Sequence, residues 1–397
     1  MTGLPLPIKK AVVLQWQGQE LRFDVAQDLF SSQQIDKGSH VLLDSLDPTL
    51  FPETGSAADF GCGYGVLGIA WQSSKPGWSM RYVDRDALAV TFSAHNARQL
   101  GDAVTGFNID FSLPATDSGY DLVLWNVPGK AGRPVIAGLL DVALGTVAPG
   151  GLLAVVVVHP LADLFAEEFT GGDTTVELVE PGTEQTVVHL RRVAGKVTER
   201  DPFAEGLFDQ PEARFVAADL EWHLIPVIGL PEYDELGHAT KLAAELMRDL
   251  PAGVPPARWL IVDPGVGHLA VAASLLWPGA HGVIAGRDVL ALRSTTRAVA
   301  GTAVQAMPVW GVEALNLDVP VDVAILALPV QASTDEIERG VDAVERCGAA
   351  YVHTILHGRS TEVARAERVL RRRSRWRAAK PIKQRGFAAL AARTVVP

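Results

Sequence analysis

The chain contains two similar apolar segments, and each is followed by a loop that contains glycine. Residues 57–70 read AADFGCGYGVLGIA, and residues 261–274 read IVDPGVGHLAVAAS. An offset of 204 matches three residues of the first loop with three of the second: Asp59, Gly61 and Gly63 with Asp263, Gly265 and Gly267. A repeat on this scale predicts that one structural unit occurs twice along the chain.

Two further pairs of segments follow in the same order. YDLVLWNVP (120–128) recurs as VDVAILALP (321–329), at an offset of 201, and GLLAVVVVHP (151–160) is answered by AAYVHTILHG (349–358). Three polar or glycine positions differ between the copies: Gly65, Asp84 and Asn126 correspond to Leu269, Gly286 and Ala327. We therefore predict two copies of one domain, of which the first keeps a ligand site and the second has lost it.

The alternation of apolar runs with helical patterns predicts the fold class. In the first copy, strands are expected near 57–60, 80–83, 104–108, 121–126, 151–158 and 185–192. Strands that alternate with helices at this spacing predict an α/β fold with a mostly parallel sheet, covered by helices on both faces. The polar segment 196–215 is predicted as a linker between domains at 1–195 and 216–397.

Composition narrows the class of protein. A chain of 397 residues is long enough for two domains with full cores. Two cysteines, Cys62 and Cys347, are too few for a disulfide framework and favour a reducing compartment. The N-terminus lacks the layout of a signal peptide, and no apolar run is long enough to cross a bilayer. We expect a cytoplasmic protein without a membrane segment, and no His/Cys cluster has the spacing of a metal site.

Charge is distributed unevenly along the chain. The net charge is −11, yet residues 359–397 carry 12 basic and 2 acidic side chains, a net of +10. An acidic protein with a basic C-terminal region leaves open a polyanionic partner that the mean charge alone would argue against.

The glycine loop GCGYGVLG follows a predicted strand and precedes a predicted helix. Glycines allow a tight turn and a close approach of the backbone to a ligand, and the helix N-terminus favours polar or negative ligand groups. Asp84, at the end of the next strand, is placed to accept hydrogen bonds from both hydroxyls of a ribose. Because Gly63, Gly65 and Gly68 also fit the dinucleotide pattern G-x-G-x-x-G, the loop alone does not decide between cofactors.

Five motifs in order decide it: LFSSQQIDKGSHVLLDSL (29–46), DFGCGYGVLG (59–68), NIDFS (108–112), NVPGKAG (126–132) and PGGLLAVVVVHPLADLFAEEF (149–169). With them, residues 23–193 resemble class I S-adenosylmethionine (SAM) methyltransferases, in particular the small-domain family that contains ribosomal RNA guanine-N2 methyltransferases. The resemblance implies two tandem Rossmann-like domains and SAM as cofactor. It implies a cofactor site made of seven residues: Asp59, Gly61, Gly63, Gly65, Asp84, and Asp110 and Phe111 at the adenine.

The resemblance also implies the catalytic residues. The loop of the N-P-P-F type maps onto Asn126, Val127 and Pro128, where the Asn oxygen and the next backbone carbonyl accept the hydrogens of a planar amine. The aromatic residue that stacks on the base in the family is replaced here by Gly129. Trp125 precedes the Asn on the strand and is predicted to point away. Either another residue supplies the stacking surface, or the substrate is not a nucleobase.

The second copy is predicted to serve recognition or stability. Its basic C-terminal region is expected to form an arginine-rich helix, in which Arg371, Arg372 and Arg373 are predicted to bind RNA phosphates and Trp376 to stack on a base. The alternative is a solvated helix face. His159 and His357 are placed at matching strand ends and are predicted to be structural.

The function predicted from these features is SAM-dependent methylation of the exocyclic N2 amine of a guanine in ribosomal RNA. The alternative is methylation of a small molecule or natural product, with the second domain as a lid or dimer surface. A third class, a SAM-binding regulator without turnover, is disfavoured because Asn126 and Pro128 are retained.

Overall fold

The computed structural model describes residues 5–103, 106–109, 119–129, 131–164, 172–198, 200–250 and 255–395. The chain divides into two compact units, Gly3–Phe208 and Asp209–Pro397, here called the first and second unit. Among the described residues, no helix is long and apolar enough to span a membrane. No group of three His, Cys, Asp or Glu side chains within these same ranges is arranged to hold a metal ion.

The first unit is built on a sheet with strand order β5-β4-β3-β6-β7-β9-β8. Its strands are β1 Lys10–Trp16, β2 Gln19–Val25, β3 Gly55–Phe60, β4 Trp78–Asp84, β5 Gly106–Ile109, β6 Tyr120–Asn126, β7 Val147–Val158, β8 Thr174–Pro181 and β9 Gln185–Arg192. Its helices are α1 Lys37–Asp44, α2 Val66–Ser74, α3 Ala87–Asn96 and α4 Arg133–Thr146. Strands β5, β4, β3, β6 and β7 are parallel, and β9 runs antiparallel to β7 and β8. The predicted α/β class is confirmed.

A hairpin that the sequence analysis did not predict precedes this sheet. Strands β1 and β2 are joined at Gln17 and Gly18, both with positive φ, which is the turn geometry that suits a two-residue hairpin loop. The hairpin is attached to the helices: Trp16 Nε1 donates to Ser74 Oγ at 2.8 Å, and Asn96 Oδ1 accepts from the backbone of Asp24 at 2.9 Å.

The second unit repeats the same strand order, β14-β13-β12-β15-β16-β19-β17, with β18 also paired to β19. Its strands are β10 Ala213–Ala217, β11 Leu220–Leu224, β12 Arg258–Val262, β13 His281–Gly286, β14 Val304–Pro308, β15 Val321–Ala327, β16 Gly348–Arg359, β17 Trp376–Ala378, β18 Ile382–Gln384 and β19 Phe387–Thr394. Its helices are α5 His238–Arg248, α6 His268–Leu276, α7 Val289–Ala298, α8 Thr334–Cys347 and α9 Ser360–Arg372. It too has an antiparallel hairpin first, β10–β11, and an antiparallel strand, β19, beside β16.

Backbone conformation corrects the predicted alignment of the two glycine loops. Three residues with positive φ follow β3, and three follow β12: Gly61, Gly63 and Gly65 (φ 67°, 55° and 94°) against Asp263, Gly265 and Gly267 (φ 53°, 60° and 111°). The offset is therefore 202 and not 204. The backbone N–H of Gly61 donates to Val83 O and that of Asp263 to Ala285 O, each at 2.8 Å, which supports the same register.

This register changes three of the predicted correspondences. Asp59 matches Ile261 and not Asp263, because Asp59 pairs with Leu124 while Ile261 pairs with Ile325. Gly65 matches Gly267 and not Leu269, and both are left-handed residues that begin a helix. His357 pairs with Ala327, whereas Asn126 pairs with Val156, so His357 matches Val156 and not His159. The match of Asp84 with Gly286 keeps the offset of 202.

The segment predicted as a linker, 196–215, is for the most part packed. Thr198 donates a backbone hydrogen bond to Gly145 O at 2.9 Å, and Phe203 and Phe208 are buried. Arg200 forms ion pairs with Asp141 and Glu205 within the first unit. Strand β10 then begins at Ala213. Part of the polar composition that indicated a linker therefore belongs to side chains that make contacts within the first unit.

Candidate functional site

The glycine loop after β3 turns the chain into α2 at the carboxyl ends of the parallel strands, where ligands of such sheets bind. Its left-handed residues Gly61, Gly63 and Gly65 need φ values that side chains other than glycine rarely adopt. A Cβ on Gly65 would lie 2.8 Å from Ile69 Cδ1, whereas a Cβ on Gly63 would meet nothing within 4 Å. The backbone at Gly63 therefore has open space beside it, into which a ligand can pack closely.

Asp84 ends β4 directly beside this loop. Its Oδ2 accepts from the backbone N–H of Gly63 at 3.0 Å, and its Oδ1 accepts from that of Asp86 at 2.9 Å. Burial raises the pKa of Asp84 to about 6, and the two backbone hydrogen bonds oppose this shift. Each carboxylate oxygen has a further lone pair, so the fixed carboxylate can also accept from the hydroxyls of a ligand.

Asp59, predicted to bind the cofactor, lies beneath the loop. Its Oδ2 accepts from the backbone N–H of Gly68 at 2.8 Å, in the first turn of α2. The side chain is 1% exposed, so it supports the start of the helix instead of presenting a surface to a ligand. Burial raises the pKa of Asp59 to about 7, and its buried Oδ1 has no hydrogen-bond partner among the described residues. Position 68 has room only for glycine, because a Cβ there would lie 2.5 Å from the ring of Tyr82.

Asn126, the last residue of β6, is held by the residue that caps α1. Its Nδ2 donates to Asp36 Oδ2 at 2.8 Å and lies 3.4 Å from Ser39 Oγ. The same Asp36 oxygen accepts from the backbone N–H of Gly38 at 2.9 Å and so caps α1. Because an ionised carboxylate can only accept, this contact fixes the orientation of the Asn126 amide and leaves Oδ1 turned away from Asp36.

The residues around Asn126 explain part of the altered catalytic motif. Val127 is buried and its N–H donates to Val156 O, while Pro128 and Gly129 are exposed. A Cβ on Gly129 would lie 3.1 Å from Val158 Cγ2, which leaves little room for a larger side chain. Trp125 is buried against Phe60, with ring centroids 4.7 Å apart, so it offers no stacking surface.

One exposed aromatic residue was missed by the sequence analysis. Phe30 is 73% exposed, in the loop that precedes α1. The next residue, Ser31, has a positive φ, and its carbonyl accepts from the hydroxyl of Tyr64 in the glycine loop at 3.3 Å. The loop that holds Phe30 is thereby attached to the glycine loop. Its signal was the F-S pair that opens the motif at 29–46.

Two predicted cofactor residues, Asp110 and Phe111, lie outside the described residues. His159 is not placed as a base: its Nδ1 lies 3.0 Å from Thr186 Oγ1, which supports the predicted structural role.

The predicted RNA-binding arginines lie in the second unit, on and after α9. The apolar stripe of this helix is buried as its spacing indicated: Val363, Ala366, Val369 and Leu370. Arg371 is paired with Glu367 at 2.7 Å, and Arg373 is paired with Asp342. Arg372 is exposed. Arg371 and Arg373 would have to break these ion pairs to bind a phosphate.

The predicted stacking role of Trp376 is wrong. Its side chain is 2% exposed, and its Nε1 donates to Glu345. Three other arginines near it, Arg368, Arg372 and Arg375, are exposed and have no ion-pair partner in the described part of the chain. They form the basic face of the second unit, and we refer to them as the open arginines.

Comparison with known proteins adds to this geometry. Residues 20–175 match the family model described as methyltransferase small domain. Ribosomal RNA large subunit methyltransferase G of Alcanivorax borkumensis is 32% identical over 149 residues, which is 36% of this chain and 36% of that protein. Ribosomal RNA small subunit methyltransferase C of Shewanella amazonensis is 30% identical over 158 residues, or 38% of this chain and 44% of that protein.

The match therefore spans less than half the length of these curated relatives. Among solved structures, the 16S rRNA N2 methyltransferase of T. thermophilus, in complex with AdoMet and guanosine, superposes with a TM-score of 0.68. The superposition covers 98% of this chain and 99% of the T. thermophilus chain, and the two sequences are 16% identical, which shows a shared fold. The family match includes the glycine loop, Asp84 and the Asp36–Asn126 pair. Residues 20–175 of this chain are similar to the methyltransferase small domain family.

Proposed function

We propose that the first unit transfers a methyl group from SAM to the exocyclic N2 amine of a guanine in ribosomal RNA. The observation that carries the proposal is the contact between Asn126 and Asp36, because it orients an amide oxygen at the carboxyl ends of the strands. The relatives named above supply the class of substrate, and the geometry supplies the chemistry.

The described part of the first unit fits SAM. The open space beside Gly63 accommodates an extended ligand that approaches the backbone, and the Asp84 carboxylate is fixed where it can accept from ribose hydroxyls. By resemblance, Asp110 and Phe111 complete the site at the adenine. When bound, SAM supplies an electrophilic methyl group.

Asn126 is suited to hold a planar amine. With Nδ2 bound to Asp36, the Asn126 Oδ1 can accept one amine hydrogen, and the Val127 carbonyl can accept the other. Two such acceptors keep the amine hydrogens in fixed directions and turn the nitrogen lone pair toward the methyl donor. Catalysis is then positioning and charge stabilisation, without a dedicated base. In this arrangement Asp36 is a positioning residue for Asn126.

Phe30 is the candidate for the stacking surface that Gly129 lacks. It is the large exposed aromatic of the loop that is bonded to the glycine loop through Ser31 and Tyr64. A ring in this place can stack on a purine, which is the usual way in which proteins hold an unstacked base.

The substrate class has a second candidate, a small metabolite, which two observations favour. Gly129 departs from the family's aromatic residue, and Arg371 and Arg373 are held by acidic side chains of the protein. RNA is favoured instead by the open arginines, which are free to contact phosphates, and by the names of the relatives.

The test is incubation of the protein with methyl-labelled SAM and separated ribosomal subunits, deproteinised ribosomal RNA and a small-metabolite extract. We expect label in ribosomal RNA or a subunit, recovered as N2-methylguanosine after digestion to nucleosides. Label only in the metabolite fraction would move the proposal to the second candidate. Label in no fraction, with SAM bound, would refute the methyltransferase proposal for these substrates.

A further inference from the structure

The second unit has a cavity, partly open to solvent, at the place that corresponds to the site of the first unit. Its volume is about 350 Å³, within the range of roughly 300–1,000 Å³ that is typical of small-molecule pockets. It lies at the carboxyl ends of β12, β13 and β15, between the loop after β12 and the start of α5. Pro231 and Ala327, which correspond to Phe30 and Asn126, both line it. The sequence predicts instead that this copy has lost its ligand site.

The loop that borders the cavity keeps the conformation of a ligand-binding loop. Asp263, Gly265 and Gly267 have the same left-handed sequence of φ values as the three glycines of the first loop. Asp263 is the residue of interest, because a side chain at φ 53° costs backbone strain that glycine at the same place would avoid. Strained backbone of this kind is found preferentially at functional sites.

The carboxylate at the end of β4 has moved to this loop in the second unit. Asp84 corresponds to Gly286, which has no side chain, and Gly61 corresponds to Asp263. A Cβ built on Gly286 would lie 2.9 Å from Asp263 Oδ1. The Asp263 carboxylate therefore occupies the space beside β13 into which a side chain at the Asp84 position would project.

The cavity is acidic. The carboxylates of Glu232, Asp263 and Asp288 line it, and none of the described lining residues is a lysine or arginine. Glu232 is held in place, because it accepts from the N–H of Gly237 at 3.1 Å and from Thr240 Oγ1 at 3.0 Å. Burial lowers the pKa of His357 to about 4, so this lining residue is neutral at neutral pH. Carboxylates at a binding site disfavour a phosphate and favour hydroxyl, amino or cationic groups.

Most of the other lining residues are apolar. Ile261, Val262 and Leu269 contribute side chains from the sheet and from α6, and Leu328 closes the side next to β15. The residues that the proposed reaction uses are absent, since Asp36 corresponds to Gly237 and Asn126 to Ala327. The site has the properties of a binding site without catalysis.

We propose that the cavity of the second unit binds a nucleoside that carries no phosphate, neutral or with a cationic side chain, and does not transform it. The Asp263 carboxylate accepts from the ribose hydroxyls, and the apolar walls contact the base. The inference rests on the proposed function only through the correspondence of this cavity with the proposed SAM site of the first unit.

The test is calorimetric titration of the full chain carrying Asp84→Gly, which weakens SAM binding at the first site, with adenosine, guanosine, SAM and guanosine monophosphate in turn. We expect at least one nucleoside or SAM to bind with one equivalent per chain, and the monophosphate to bind at least about 10-fold more weakly. Asp263→Gly, added to this background, should weaken binding about 10-fold or more and should relieve backbone strain. Ala327→Phe, which fills the cavity from the end of β15, should abolish binding.

The control variant is Asp335→Asn, which removes an exposed carboxylate of the same unit at the start of α8 and should not change affinity. Absence of binding up to millimolar nucleoside would overturn the proposal. So would binding that neither Asp263→Gly nor Ala327→Phe changes. If the Asp263→Gly protein does not fold, loss of binding in the Ala327→Phe protein tests the proposal instead. The single variant Asp263→Gly, which keeps Asp84, tests SAM binding at the first site by itself. The proposed function of the first unit and the nucleoside site of the second unit can therefore fail independently.

Discussion

The two units share a sheet order, a hairpin and a left-handed loop, and they differ in a few polar side chains at the same edge of the sheet. In the first unit, Asp36 and Asn126 come from distant parts of the chain and form a 2.8 Å hydrogen bond. In the second unit, the corresponding residues are Gly237 and Ala327, so both partners are missing together. Because both residues are replaced together, we expect Asp36 and Asn126 to act together.

The comparison also separates fold from chemistry. Both loops keep three left-handed residues and both helices after them begin at a left-handed glycine, although only the first loop is followed by the Asp84 carboxylate. The backbone of this edge is therefore common to the two units, and their side chains differ. Replacing first-unit residues by those of the second unit tests this view directly.

The largest effect is expected for Asn126→Ala, which installs the residue that the second unit has. Loss of one hydrogen bond made in the transition state typically costs about 10²–10³-fold in turnover. SAM affinity should change by less than about twofold, because Asn126 faces the acceptor. Turnover measured with saturating SAM and a direct binding titration check the two halves of this prediction, and unchanged turnover would remove Asn126 from the catalytic assignment.

Asp84→Gly should weaken SAM binding by about 1–3 kcal/mol, the usual cost of leaving polar groups without partners. The pKa of Asp84 is raised to about 6 by burial, so the carboxylate gains a proton as the pH falls through 6. SAM affinity of the unaltered protein should therefore decrease between pH 7 and pH 5. The Asp84→Gly protein should lack most of this pH dependence, and a binding isotherm series over this range measures both effects. An identical pH dependence in the two proteins would contradict the assignment.

Asp36→Gly should lower turnover by about 10-fold through Asn126 while leaving the helix in place. Glycine is tolerated as an N-cap at a cost of only a few tenths of a kcal/mol, so α1 should persist. Asp36→Asn, which keeps an acceptor oxygen, should recover part of the loss. Asp44→Ala, at the exposed last residue of the same helix, is the control. The effect should appear in kcat more than in the KM for SAM. If Asp36 were only structural, Asp36→Gly would instead lower the thermal stability of the protein along with its turnover.

The basic face of the second unit gives a smaller, salt-dependent effect. Arg368, Arg372 and Arg375, the open arginines, are to be changed together to Gln. If they contact phosphates, the slope of log affinity for RNA against log salt should flatten by about 1–3 units, since each contact contributes about 0.7–0.9. Arg371→Gln, whose side chain is already paired with Glu367, should change the slope less. No RNA affinity at physiological salt in either protein would favour the small-metabolite candidate.

Features that rest on local periodicity could be predicted from the sequence. Strands β3, β4, β6, β7 and β9 lie where apolar, β-branched runs indicated them, and the buried stripe of α9 follows from its helical spacing. The glycine loop and Asp84 were also found, because their spacing is a property of one strand–loop–helix segment. Two hairpins were missed, and the first strand of the second hairpin begins at Ala213, inside the segment predicted as a linker.

Features that rest on contacts between distant residues could not be predicted. Asp36 has the sequence signal of a helix cap, and nothing in the chain indicates that the same oxygen also binds Asn126, 90 residues later. The offset of 204 followed from matching Asp with Asp, whereas the structure matches by left-handed backbone and aligns Gly61 with Asp263. Trp376 lies in a basic segment, but its burial depends on α8, to which it is bonded through Glu345.

The effect expected at Asp59, whose counterpart in the second unit is the apolar Ile261, is on stability. Burial raises the pKa of Asp59 to about 7, so between about pH 4 and pH 7 the native protein holds a proton that the unfolded chain releases. The unaltered protein therefore loses stability as the pH rises through this window.

The side chain introduced by Asp59→Asn does not titrate, and its oxygen can still accept from the N–H of Gly68. Its free energy of unfolding relative to the unaltered protein should increase from pH 4 to pH 7 and then stay constant, with an upper bound of about 4 kcal/mol from a gap of about three pH units. Urea unfolding at several pH values measures this, with Asp44→Asn as the control for removal of an exposed charge, and a difference independent of pH would show that Asp59 is ionised in the native protein throughout.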